Sequence, residues 1–194
     1  TVIGGSTPLA SLTVVNANAT TFHDLSVAKL TLADTTTNIL FEGNTVISDS
    51  LTTTTEGYNV RFLNIKTAVI SGAPVFLNTG NVIMQGTTSL PNGATITGGP
   101  STEANLAGTI VSGGAFNIGS GISVIDISNN TQLILNSTTA GSTFASPISL
   151  NSTNPGSFKL LGVGTLTLSA DSTAGVTTNV TFPLALELLL LVAP

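Results

Sequence analysis

Apolar residues along this chain come in short alternating bursts, broken up by Gly, Asn, Ser and Thr. A helix would repeat its apolar positions at i, i+3, i+4 and i+7, and almost no stretch does so. Period-two bursts bounded by turn residues predict strands. The bursts fall at 12–14, 25–32, 39–41, 60–65, 69–77, 82–84, 106–111, 122–127, 133–135 and 158–168. Between them lie turn signals: Glu42-Gly43-Asn44, Glu56-Gly57, Asn92-Gly93, Gly98-Gly99-Pro100, Ser112-Gly113-Gly114 and Asn129-Asn130. The chain therefore reads as all-β.

Within several bursts the alternation slips by one residue. Val60 and Phe62 are followed at once by Leu63 and Ile65, Ile122 and Val124 by Ile125 and Ile127, and Phe158 and Leu160 by Leu161 and Val163. Leu25 and Val27 give way to Leu30 and Leu32, with Ala28 and Lys29 at the junction. In a flat strand, residues i and i+2 share a face, so such a slip sends one apolar triplet outward. A bend between the triplets returns both to the interior. Three-residue strands meeting at corners are what a parallel β-helix needs, and this favours a β-solenoid over two tandem immunoglobulin-like sandwiches, the main alternative for short strands with this turn spacing. At about 20 residues per coil and about 4.8 Å between strands, the expectation is nine or ten coils in a rod of roughly 45 Å. The bursts are too unevenly spaced to fix the phase of the repeat.

Composition sharpens this picture. Thr (33), Ser (20), Asn (17) and Gly (20) make up 90 of 194 residues, and only 7% of residues are charged. The usual share of charge is about 25%, so solubility here rests on hydroxyls and amides. The four basic residues, Lys29, Arg61, Lys66 and Lys159, are isolated, which argues against nucleic acid as a partner. A mean hydropathy of +0.48 argues against intrinsic disorder. No cysteine is present, so neither disulfides nor thiolate metal sites are expected. The first residue is Thr and no basic, then apolar, leader opens the chain; the reading is a mature fragment or processed subunit.

Two stretches carry a family likeness. The run from Ile3 to Thr13, with Gly4-Gly5 and Pro8-Leu9-Ala10-Ser11-Leu12, resembles segments that open sets of β-coils in filamentous-haemagglutinin-like bacterial surface proteins. The stretch from Gly162 to Val180, with Gly164-Thr165-Leu166-Thr167-Leu168-Ser169 and a Thr- and Gly-rich return, is similar to the autotransporter-associated β-strand repeat. Together they cover about 30 of the 194 residues. The resemblance implies a right-handed parallel β-helix, exported to the cell surface and working in adhesion, aggregation or fibre formation.

No constellation of catalytic residues emerges, and no catalytic, cofactor-binding or metal site is assigned. Enzymes that cleave glycans need paired carboxylates, whereas Asp24, Asp34, Asp49, Asp126, Asp171, Glu42, Glu56, Glu103 and Glu187 are scattered. His23-Asp24 is the one imidazole beside an acid, and it lacks a nucleophile elbow. The Gly pairs at Gly113-Gly114 and the run Gly119 to Gly121 contain no Asp for a calcium-binding coil. Thr-x-Thr motifs start at Thr35, Thr53, Thr95 and Thr165, and their uneven spacing predicts no single regular ladder of the kind that binds ice. Asn-x-Ser/Thr triplets begin at Asn18, Asn129, Asn136, Asn151 and Asn179. Amide ladders inside the coils would draw on Asn64, Asn81 or Asn117.

The most apolar stretch is 182–194. Glu187 interrupts it and about 11 residues separate its prolines, too few for a membrane span of about 20. It is expected to cap the solenoid or to act as an assembly strand through Leu184, Leu186, Leu188, Leu190 and Val192. The sequence thus predicts a single β-solenoid module over 1–194: a non-enzymatic adhesin stalk or passenger, extracellular or at the cell surface, without cofactor. Expected partners are copies of itself and a host or cell-surface glycan or protein. A homopolymeric filament subunit is the alternative, and a glycan-degrading enzyme on the same scaffold ranks third.

Overall fold

A computed structural model describes residues 2–33, 36–63, 67–122, 124–126, 132–135, 141–146, 148–149, 157–160, 166–168 and 180–181. Among them there is no helix. The strands are β1 (Val2–Ile3), β2 (Leu9–Val15), β3 (Ala19–Phe22), β4 (Asp24–Ala33), β5 (Asn38–Phe41), β6 (Thr45–Thr53), β7 (Asn59–Phe62), β8 (Thr67–Ile70), β9 (Val75–Phe76) and β10 (Val82–Leu90). They continue with β11 (Ala94–Ile96), β12 (Glu103–Ser112), β13 (Phe116–Ile118), β14 (Val124–Asp126), β15 (Gln132–Leu135), β16 (Ser142–Phe144), β17 (Ile148–Ser149), β18 (Ser157–Leu160), β19 (Leu166–Leu168) and β20 (Val180–Thr181).

The described pairings are all parallel and join each strand to one about a turn later in sequence, so the chain is a β-solenoid. One column shows the winding: Ile3 pairs with Leu25, Leu25 with Thr45, Thr45 with Ala68, Ala68 with Thr88 and Thr88 with Ile110. That is five complete turns. Backbone pairing carries the column on through Leu133 and Phe158 to Val180. The spacing along it varies from 20 to 25 residues.

Each turn has three sides. Stack A contains β1, the first halves of β4 and β6, β8, the second halves of β10 and β12, and β15, β18 and β20. Stack B contains β2, the second halves of β4 and β6, β9, β11, β13, β16 and β19. Stack C contains β3, β5, β7, the first halves of β10 and β12, β14 and β17.

The four long strands cross corners, and there the alternation slips. In β4 the residues Leu25, Val27, Leu30 and Leu32 are all buried while Lys29 is exposed, and a bulge in the pairing with β6 falls between Val27 and Lys29. β6 repeats the pattern, with Thr45, Ile47, Leu51 and Thr53 inside and Ser48 and Asp49 exposed. A bulged strand bends, which is how both halves face one interior. At the junctions expected after Phe62 and Leu160, the residues Ile65, Leu161 and Val163 lie outside the described residues. The junction expected between Val124 and Ile125 does not hold, because β14 runs straight through it. The burst at 69–77 is two strands that meet at a corner containing Pro74.

The core is a set of in-register columns. Phe22, Phe41 and Phe62 lie in register inside stack C, their rings stacked at 5.2 and 4.6 Å, and Met84 and Leu106 extend the column. In two turns a ring is accompanied by a small buried stack A residue, Thr45 with Phe41 and Ala68 with Phe62, whereas Phe22 is accompanied by Leu25. Close stacking also dictates glycine at Gly43, where a Cβ would sit 1.2 Å from the His23 carbonyl oxygen.

Candidate functional site: the outer faces and corners of the solenoid

With the interior filled by side chains, chemistry available to a partner lies on the three outer faces and at the corners. The central outward row of stack B runs Thr13, Thr31, Thr52, Val75, Thr95 and Asn117 by direct pairing. The neighbouring pair Ile118–Phe144 carries it to Thr143. Five of these seven positions are threonine. The steps along the row are 18, 21, 23, 20, 22 and 26 residues, which is why a fixed-period reading of the sequence failed to find it. The loops absorb the uneven spacing, and hydrogen bonding sets the rungs. Of the Thr-x-Thr motifs, Thr95 joins the row, whereas Thr53 of another points inward and is buried.

The other two faces are mixed. Stack A presents Ser26, Val46, Val69, Ser89, Val111 and Ile134 in its outward row, flanked by a short run of Thr67, Thr87 and Thr109. Stack C presents Thr21, Leu40, Arg61, Ile83 and Asn105. Generic β-propensity acts on all three faces, so it does not account for threonine dominating one.

The corners hold most of the described charges, while Arg61 lies on the stack C face. His23 Nδ1 lies 3.5 Å from Glu42 Oε2 one turn on, and Lys29 Nζ lies 3.6 Å from Asp49 Oδ2. His23, Lys29 and Asp49 are well exposed and Glu42 is half-exposed, and ion pairs of this kind contribute little. Asp24 Oδ1 accepts a hydrogen bond from Asn44 N at 2.8 Å, closing the corner of the next turn. Among the described residues, no group of three or more His, Cys, Asp or Glu could hold a metal ion.

Amides cap successive turns at the start of stack C. Asn59 Nδ2 donates to Asn38 Oδ1 at 3.0 Å, Asn81 N to Asn59 Oδ1 at 2.7 Å, and Glu103 N to Asn81 Oδ1 at 2.9 Å. Asn117 Oδ1 likewise accepts from Thr143 N at 3.0 Å. The ladder expected at Asn81 exists, but it runs along half-buried strand starts rather than through the interior. Asn64 lies outside the described residues.

A second polar column, not foreseen from sequence, ties the corners between stacks B and C. Buried Tyr58 donates its hydroxyl to Leu32 O at 3.0 Å and accepts from Thr54 N at 3.0 Å. One turn later Asn78 Nδ2 donates to Tyr58 O, and one turn further Thr102 Oγ1 donates to Thr79 O. Burial, acting chiefly through desolvation of the phenolate, raises the Tyr58 pKa above its ordinary value of 10.0.

No family model, curated protein or solved structure matches this chain. Its outer surface must accordingly be read from its own chemistry. Of the five Asn-x-Ser/Thr triplets, Asn18 is exposed and accepts from Thr36 Oγ1, and the other four asparagines lie outside the described residues. Asp34, Asp171 and Glu187 do too, as does the assembly segment Leu184, Leu186, Leu188, Leu190 and Val192. No described helix is long and apolar enough to cross a membrane.

Proposed function

We propose that this chain is a non-enzymatic structural and adhesive segment of an exported bacterial surface protein, a stalk or passenger of the filamentous-haemagglutinin-like or autotransporter kind. The observation that carries this reading is the in-register parallel column from Ile3 to Val180. Each rung of such a column contacts its neighbours, giving an extended body with repeated surface groups, suited to spacing and to weak multivalent contact. Electron microscopy of the purified chain, with limited proteolysis, tests it. Short isolated rods that resist cleavage and bind cells or glycan arrays support the reading; rapid cleavage or compact particles overturn it.

A second reading, a filament subunit that assembles through solenoid ends, draws on the first turn. Its interior positions Ile3, Leu12 and Val14 are only half-buried and Leu9 is 39% exposed, whereas Leu25, Val27, Leu30 and Leu32 in the next turn are buried. Among the described residues β2 pairs with β4 alone, and that apolar cross-section suits the addition of another rung. Fibres of uniform width at high concentration, lost on deleting 184–192 while β-sheet circular dichroism persists, favour this reading. A glycan-degrading enzyme on the scaffold remains third: Asp24 and Glu42 share the corner between stacks C and A in adjacent turns, while Asp49, Glu56 and Glu103 sit at other corners and strand starts.

A further inference from the structure

The central outward row of stack B is uncharged and mostly threonine, and we infer that it is a binding surface for ice. The row holds Thr13, Thr31, Thr52, Thr95 and Thr143, with Val75 and Asn117 on the remaining rungs. No member of the row is charged. Lys29 flanks it at the corner bulge and is drawn to Asp49. Adjacent rungs are about 4.8 Å apart, a distance close to the repeat of oxygen atoms on ice surfaces. Threonine is stiff at χ1, so each rung presents a hydroxyl and a methyl in a set direction, and little side-chain entropy is lost when ordered water docks.

Charge, aromatic content and area select this partner over others. An uncharged row gives an anionic polymer nothing to neutralise. The exposed large apolar residues include no aromatic ring, so the stacking platform typical of carbohydrate binding is missing among the described residues. The face is about three residues wide and six rung steps long, roughly 10 Å by 29 Å, or about 290 Å². A specific protein interface needs about 800 Å² per partner. A lattice that matches the row rung by rung binds through repetition instead of area.

This inference is independent of the rod's place on a cell. The experiment is partition of the fluorescently labelled full chain into a slowly growing shell of polycrystalline ice, with recrystallisation inhibition as a second readout. The parent chain should enter the ice. Thr52→Lys and Thr95→Lys, outward substitutions checked by circular dichroism, should abolish uptake, and Val69→Lys on stack A should leave it intact. Should either lysine variant misfold, Thr52→Val and Thr95→Val keep the shape, remove the hydroxyl and should weaken uptake. Exclusion of the parent chain from ice overturns the proposal. So does equal loss in the stack A variant, or capture by insoluble cellulose or chitin that the same stack B substitutions abolish.

Discussion

The stacked phenylalanines inside stack C and the threonine row outside stack B are built by the same device, one residue per rung held in register by parallel backbone hydrogen bonds. Their energetics differ. Phe41 is 1% exposed, with ring neighbours on both sides, and its repetition follows from burial: each ring covers the next. Thr52 is exposed and lies beside Thr53, which is buried. Among the described residues the outer row is half-buried to exposed, so burial does not explain its share of threonine. Repetition inside a solenoid reports stability, while repetition outside reports what the surface meets.

The widest gap between the two regions should appear on deleting a ring. Phe41→Ala is expected to cost about 3–5 kcal/mol in urea unfolding, the range for large-to-small core changes. A loss below about 1 kcal/mol would mean that the column collapses without penalty, and the contrast with the outer row would fail. Tyr58→Phe comes next. It removes the phenolic partner of the Leu32 carbonyl and the Thr54 amide, which keep their bond to each other, at a cost of about 0.5–1.5 kcal/mol.

Tyr58 also sets a pH dependence. Its folded pKa lies above the ordinary value of 10.0, so the folded state holds the proton more tightly than the unfolded chain. The resulting stability is full below pH 10 and is lost as pH rises through the raised folded value. Thermal melts between pH 9 and pH 12 should show this decline in the parent chain and a shallower one in Tyr58→Phe.

A threonine swapped inside should behave unlike one swapped outside. Thr88 is buried, and its hydroxyl has no hydrogen-bond partner. Thr88→Val removes that desolvated group and should stabilise the fold by about 1 kcal/mol. Thr95→Val, on the outer row, should change stability by less than about 0.5 kcal/mol. Equal shifts in the two midpoints would erase the distinction between inner and outer threonines.

Much of the coil was legible in the sequence where both inward residues are aliphatic or aromatic, as in Leu25 to Leu32, where even the bulge showed as a slip in the alternation. It was illegible where inward positions carry small or hydroxylated residues. β6 hides Thr45 and Thr53, β11 hides Ala94 and β16 hides Ser142, and none of these reads as a bulky apolar position. The polar corner of Tyr58, Asn78 and Thr102 was missed for the same reason: a buried hydroxyl or amide looks like a solvated one until its partner is known.

By itself the sequence determined the all-β class, the corners at Leu25–Leu32 and the small share of charge, because alternation and composition are local properties of the chain. Only the tertiary structure decided which residues share a row. Turns here differ in length by several residues, and a loop of any suitable length can close the same triangular coil. The backbone ladder alone brings Thr13, Thr31, Thr52, Thr95 and Thr143 into one line, and that line carries the inference about ice.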